Sequence, residues 1–482
     1  MRIRLGRRPQ SSMTLGVLAV LAALGAVIVL RAPEAATADA PSSPRVPTST
    51  TSPTSGSARV TLNGPSIDGV LAFGEGALLA SGSSDVFAEL RLTGLAPESA
   101  APRSPVALAV VLDHSGSMGG PKMQQADEAV VSLLGRMHDD DWLSVVVYDD
   151  TAEVLQPLAP VAALRESLPA RVRGVYADGG TNIPLGLDLG VGTLASAPSG
   201  HVRRIVLLSD GQDGSGEPLA SIEARISSRA SERVTTSALG IGIDYDERFM
   251  SGVAESGRGN YAFLEREDML APFLARELEQ GASTIADSVM AEIDVPAGLR
   301  FVEAHGVVAE VAGSTIRLPI GSIYAGERRK VVLQFASDPG AIGSAVSTPV
   351  RLAYQTMDRN AHTIAGAARL VRVATDAELT ASRDAEIWGD AYATVLDSRQ
   401  DDALTAWREG RRDDALRMTD ANIAALAEAQ RAAPSAAPMF AARAASRAEE
   451  RGLYQATDAQ SASGRAGGLA HRARRIDMAD AF

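Results

Sequence analysis

The chain has 482 residues, 45% of them hydrophobic, which is too long for one compact unit and apolar enough for two or three packed cores. It contains no cysteine, so disulfide frameworks, thiolate zinc sites and cysteine nucleophiles are excluded. A formal net charge of −13 argues against nucleic acid as a partner, because phosphate neutralisation needs a basic face.

The chain opens with Arg2, Arg4, Arg7 and Arg8, followed by the uncharged, mainly apolar run Ser12–Leu30. At about 1.5 Å of rise per residue such a run crosses a hydrocarbon core of about 30 Å, and the basic flank stays on the cytoplasmic side. Residues 1–31 are therefore expected to be a single-pass anchor that places the rest of the chain outside the cytoplasm, periplasmic or at the cell surface. The small residues at 34–40 (EAATADA) keep a cleaved secretory signal as the alternative, which would make the protein secreted. Residues 32–57 are Pro, Ser, Thr and Ala with almost no large apolar side chain; they should form an extended, disordered tether.

In residues 58–103 the stretch DVFAELRL (85–92) puts Val86, Ala88, Leu90 and Leu92 on one face, the period of a β-strand. Over residues 104–282 the pattern becomes one of strands alternating with helices. VALAVVLD (106–113), WLSVVVYD (142–149), RRIVLLSD (203–210) and VTTSALGIG (234–242) read as buried strands, AEVLQPL (152–158) as an edge strand and YAFLE (261–265) as a last one. Helices are expected near 121–137, 160–172, 182–196, 217–231, 247–256 and up to about 280. This order gives an α/β fold with a doubly wound, mostly parallel sheet.

Six further strand candidates in residues 283–374 (291–299, 306–311, 314–323, 328–335, 350–357 and 367–373) suit a β-sandwich. The 58–103 strands either complete that sandwich, making the α/β unit an insertion, or form a separate hairpin. Residues 375–452 have helical spacing and room for a hairpin packed by Trp388, Leu404, Trp407, Leu416 and Leu426. That hairpin is read as a structural end-piece, with a tetratricopeptide-like partner site as the other possibility. Residues 453–482, rich in Ser, Gly and Arg, are expected to be a flexible tail.

In an open α/β sheet, ligands sit beyond the carboxyl ends of the strands where strand order reverses. For the order 3-2-1-4-5-6 the first and fourth strands flank that point; here they end at Asp113 and Asp210. Two converging carboxylates cost free energy unless a cation neutralises them. Ser115 and Ser117 follow Asp113 in Asp-x-Ser-x-Ser spacing, and Thr181 follows two glycines in DGGTNIP (178–184). Carboxylates and hydroxyls are hard oxygen donors suited to Mg²⁺, Mn²⁺ or Ca²⁺ rather than to zinc or copper. Taken one at a time these residues have plainer readings: Asp113 and Asp210 as strand-end turns or caps, Thr181 and Asn182 as helix N-caps, His114 as a loop residue and Asp178 as a turn residue. Their co-location favours one metal site.

The segments DHSGSM, GGTN and LLSDG in this α/β order resemble the von Willebrand factor A domain with a complete metal-ion-dependent adhesion site, over about residues 105–280. The resemblance implies that Asp113, Ser115 and Ser117 ligate an ion, with Thr181 and Asp210 completing the shell directly or through water. It also implies Mg²⁺ as the usual occupant, with one position open to an Asp or Glu of a partner protein. KMQQADEAVVSLL and DWLSVVVYDD are similar to bacterial secreted members.

The leading functional reading is metal-dependent protein binding outside the cytoplasm, for adhesion or envelope-complex assembly. A scaffold or regulator with a metal-switched conformation is the alternative. Catalysis, for instance by a metal-dependent hydrolase, has little support: the chain lacks HExxH, a Gly-x-Ser-x-Gly elbow and a phosphate-binding GxxxxGK[ST] loop, and its six histidines are scattered. No enzyme activity is expected.

Overall fold

The computed structural model describes residues 57–96, 103–210, 212–241, 246–264 and 270–480. The anchor or signal at 1–31 and the tether up to residue 56 lie outside them. Among the described residues no helix is long and apolar enough to cross a membrane.

Four strands come first: β1 (Arg59–Asn63), β2 (Ile67–Phe73), β3 (Ala77–Leu79) and β4 (Asp85–Gly94). The α/β unit follows as β5 (Val106–Asp113), α1 (Pro121–Arg136), β6 (Trp142–Tyr148), β7 (Ala152–Pro160), α2 (Val161–Leu164), α3 (Leu168–Val172), α4 (Ile183–Leu194), β8 (Val202–Ser209), α5 (Leu219–Ser231), β9 (Val234–Ile241), α6 (Glu247–Ser256), β10 (Arg258–Leu264) and α7 (Leu270–Ala282). The sheet order is β10-β9-β8-β5-β6-β7, with all neighbours parallel except the antiparallel edge pair β6/β7.

Central strand β5 is buried along its whole length, which is why its sequence is a continuous apolar run rather than an alternating one. Val106, Leu108, Val110 and Leu112 face the core shared with α1 and α7; Ala107, Ala109 and Val111 face the core shared with α4, α5 and α6. Small residues bring α4 close to the sheet. A Cβ at Gly186 would lie 2.7 Å from the Tyr148 ring, and one at Gly190 would lie 2.6 Å from Val111.

The remaining strands are β11 (Thr284–Asp294), β12 (Leu299–His305), β13 (Glu310–Ala312), β14 (Thr315–Tyr324), β15 (Arg328–Ser337), β16 (Ala345–Thr356) and β17 (Ala361–Val373). They form two sheets, β1-β2-β4-β15-β12 and β13-β14-β11-β16-β17-β3, around one apolar core that holds Leu62, Leu90, Ile293, Leu318, Phe335 and Leu352. Strand β4 is therefore interior, between β2 and β15, and the strands before and after the α/β unit build one sandwich. The unit's two ends meet where the Ser104 N–H donates to the Ala282 carbonyl at 3.1 Å. Two of the expected strands differ. The strand expected at 291–299 ends at Asp294 and a separate strand, Leu299–His305, pairs with β15; of the candidate at 306–311 only Glu310 and Val311 are in a strand, the short β13.

The C-terminal part holds α8 (Asp376–Ala381), α9 (Ala385–Arg408), α10 (Arg412–Ala432), α11 (Ala437–Ala456) and α12 (Ala462–Asp480). Where a hairpin was expected, α9, α10 and α11 pack successively. The tail expected to be loose from 453 on is instead helical: α11 continues to Ala456, and α12 follows. Its Ser, Gly and Arg content is put to structural use. Gly467 and Gly468 allow close approach to Leu453 and Trp407, and Arg475 is buried against Glu450 at 2.8 Å and against Asp401. Leu469 of this helix is buried in the core of the α/β unit.

Candidate metal centre

At the carboxyl end of β5 the apolar run gives way to Asp113, which is fully buried. One of its carboxylate oxygens accepts from the Ser115 backbone N–H at 2.8 Å, and the other from the Ser209 hydroxyl at 2.6 Å. The chain then makes a tight turn, Met118 N–H to Ser115 carbonyl at 2.9 Å, pinned by the buried Met118 side chain. This turn sets Ser115 and Ser117 side by side, with their hydroxyl oxygens 3.1 Å apart. The Ser117 hydroxyl donates to Asp210 Oδ1 at 2.7 Å, so the end of β8 joins the same string. Asp113, Ser115 and Asp210 form a buried floor, while Ser117 is exposed at the rim.

The loop before α4 closes the third side. The Gly116 N–H donates to the Gly179 carbonyl at 3.1 Å and the Asp178 N–H to the His114 carbonyl at 2.8 Å, binding this loop to the one after β5. Gly179 takes a left-handed φ of 74°, which a side chain would strain. Thr181, half-buried, follows on this tethered loop. Its carbonyl accepts from the Gly214 N–H at 2.7 Å, and among the described residues no hydrogen bond links its hydroxyl to the other four. Asn182 caps α4 through Leu185 N–H at 3.2 Å.

Several participants were not visible in the sequence. Lys122, on the first turn of α1, places its ammonium on Asp210 Oδ2 and donates to the Ser117 carbonyl at 3.3 Å. Ser209 holds Asp113. Asp150 accepts from the Gly180 N–H at 2.8 Å, and Asp149 accepts the Asn182 N–H through its carbonyl at 2.8 Å, so the β6–β7 turn braces the Thr181 loop. Asp213 accepts from the Ile183 N–H at 3.0 Å at the start of α4. Only the Asp-Gly and Asp-Asp turn signals at these points hinted at such bracing.

The electrostatics favour a cation. Burial pushes the Asp113 carboxyl above its ordinary range; hydrogen bonds from Ser209 and Ser115 oppose the shift, and the Asp210 charge adds to it. Tyr148, buried beneath, is raised well above the ordinary phenol value by burial and then by Asp113. The donor set also fits geometrically. Neighbouring oxygens on an octahedral ion with bonds of about 2.1 Å lie about 3 Å apart. The Ser115–Ser117 and Ser117–Asp210 separations, 3.1 and 2.7 Å, bracket that edge. Among the described residues no group of three or more His, Asp or Glu side chains gathers as a metal site, so this centre depends on hydroxyls beside two carboxylates.

An open sheet with a hard-oxygen cradle at its switch point defines a Rossmann-like domain suited to an oxyphilic cation. Residues 107–274 match the von Willebrand factor type A domain family, and the chain contains such a domain. An uncharacterized protein of Synechocystis sp. is 28% identical over 271 residues, which cover 52% of this chain and 62% of that one. The inter-alpha-trypsin inhibitor heavy chain H4 of Homo sapiens is 32% identical over 158 residues, 31% of this chain and 17% of that one. The chain thus spans less than two thirds of either relative. A solved structure described as von Willebrand factor type A from Catenulispora acidiphila matches with a TM-score of 0.62 at 22% identity, over 80% of this chain and 90% of that one. Domains of this family generally bind a divalent metal and commonly mediate protein–protein interaction.

Proposed function

We propose that the protein is a non-enzymatic binding protein that works outside the cytoplasm, for adhesion or envelope-complex assembly, and captures an acidic side chain of a partner at a divalent metal. The observation that carries this reading is the string of oxygens from Ser115 through Ser117 to Asp210, spaced as the edge of a hard-cation shell, with its rim open to solvent. Asp113, Ser115, Ser117, Thr181 and Asp210 would hold the ion, Mg²⁺ by the family's habit, with Mn²⁺ or Ca²⁺ also suited to oxygen donors. The ion would supply a positive charge and an exchangeable position for a partner Asp or Glu. The chain's own residues orient that position. Ser209 and the Ser115 N–H fix Asp113, and the β6–β7 turn holds the Thr181 loop. The extracytoplasmic placement rests on the basic and apolar character of residues 1–31.

The test is capture of envelope proteins by the full chain with Mg²⁺ and with EDTA, alongside calorimetric titration of Mg²⁺ alone. Capture should require Mg²⁺, return on its readdition, and be lost in Asp113→Ala and Ser115→Ala variants that keep their circular dichroism. Capture that persists in EDTA or in both variants would sink the proposal.

A further inference from the structure

Four non-glycine residues among those described have left-handed backbone, and two of them, Arg233 (φ 69°) and Arg359 (φ 67°), line one cavity. The cavity, of about 140 Å³, is also bounded by His201, Arg203, Asp287 and Met357. It lies at the amino ends of β8 and β9, the opposite end of the sheet from the metal centre, against the sandwich strand β11 and the β16–β17 turn. A left-handed φ costs a side-chain-bearing residue free energy that glycine would not incur. Arg233 follows α5 where a helix is commonly closed by glycine, and Arg359 sits in a tight turn, its N–H donating to the Thr356 carbonyl at 2.8 Å. Arginine at both positions points to a use for the guanidinium groups.

The charges in this cavity do not cancel. Asp287 is its one acidic lining residue and is already engaged: by the Arg233 guanidinium, by the Ser288 N–H at 2.6 Å and by the Ser322 hydroxyl at 3.3 Å. Arg203 donates to the Glu232 carbonyl, which neutralises nothing. Arg359 has no carboxylate within ion-pair distance among the described residues. Three guanidiniums thus face one carboxylate, in a chain whose net charge is −13. Guanidinium forks match the paired oxygens of phosphate, and the cavity volume admits a phosphate group.

We infer that this cavity is a binding site for a compact, multiply charged oxyanion of the phosphate type, independent of the metal centre. The full chain is titrated calorimetrically with sodium phosphate in EDTA, at constant ionic strength maintained with sodium chloride. Saturable binding is expected, weakened tenfold or more by Arg359→Gly and by Arg203→Gln. Arg359→Gly relieves the backbone strain, so its thermal midpoint in chloride should not fall, which separates lost binding from lost folding. Absence of saturable binding in the unaltered chain, or equal affinity in Arg359→Gly, would overturn the inference. Repeating the titration with water-soluble dihexanoyl phosphatidic acid, a phosphate monoester that can carry two charges, assigns the source. Binding tighter than that of inorganic phosphate indicates a lipid head group; weaker binding indicates free phosphate or a soluble ester.

Discussion

Lys122 is one of only two lysines in the chain, and its ammonium rests on Asp210 Oδ2 while Ser117 occupies Oδ1. A tethered cation of this kind lets two carboxylates converge without a metal, yet it repels a metal that docks on the same group. Lys122→Met is therefore expected to tighten Mg²⁺ binding about threefold or more and to lower the thermal midpoint in EDTA; titration that shows weaker binding would refute the balance argued here. The hydrogen-bonded geometry of the candidate site was largely legible in the sequence, because Asp-x-Ser-x-Ser at the end of a buried apolar run constrains where these side chains lie. Asp113, Ser115, Ser117 and Asp210 do fall on one hydrogen-bonded string. Lys122 could not be read, since a cation one turn into an amphipathic helix has the same pattern whether it faces solvent or a carboxylate. The Arg233 and Arg359 cavity was also hidden, because a left-handed backbone at a non-glycine residue leaves no periodic signature.

Between elements, Arg91 of β4 reaches Glu386 at 3.0 Å and Asp390 at 3.2 Å on α9, and its remaining partner is Glu89. This β4 residue is fully buried, with Oε2 accepting from Arg91 at 2.7 Å and Oε1 without a partner among the described residues. Burial raises its pKa to about 7; Arg91 opposes the shift and Asp390 of α9 adds to it. The folded state thus keeps a proton that the unfolded chain releases near 4.5. Stability contributed by this group is complete below about pH 4.5 and is lost as pH rises to about 7. The loss is on the order of 3 kcal/mol at about 1.4 kcal/mol per unit. Urea midpoints at acid and neutral pH should converge in Glu89→Gln relative to the unaltered chain; an unchanged pH slope would show that the carboxylate is compensated. The close seat of α4 on the sheet is the second element-scale dependency. Gly186→Ala would push a methyl into the Tyr148 ring at 2.7 Å, costing about 1–3 kcal/mol by overpacking. Because α4 starts at the Thr181 loop, Mg²⁺ affinity measured by calorimetry should fall with stability. Glycines in the sequence 183–194 read only as weak helix positions; the neighbour that required them was set by tertiary packing.

Across the whole molecule the two folded units differ in how much chain they need. The α/β unit is continuous, with ends joined at Ser104 and Ala282 and cores on both faces of its own sheet. The sandwich is discontinuous, because β1, β2 and β4 come from before the insertion and β4 is hydrogen-bonded along its length to β15. The alternation in 85–92 revealed a strand, but which sheet it joined depended on pairing with residues 328–336, and no local pattern carries that information. The asymmetry has a direct consequence for dissection. A fragment of residues 103–283 should unfold in a single cooperative transition and retain Mg²⁺ binding within a few-fold of the full chain. It loses the hydrogen bond at 2.8 Å from Arg204 to the Tyr324 hydroxyl, the Arg233–Asp287 ion pair and the Leu469 side chain, but Arg204 keeps Glu277 at 2.6 Å and the rest of both cores stays within the fragment. A fragment of residues 104–482 contains the same unit but lacks the interior strand β4, leaving Val331, Leu333 and Phe335 without their neighbours Leu90, Ala88 and Val86. An uncovered strand edge and apolar face of that length invite association. The longer fragment should therefore be the less soluble of the two, binding the dye ANS and sedimenting as aggregates. A monomeric, cooperatively folded 104–482 would mean that the sandwich does not depend on the strands that precede the insertion.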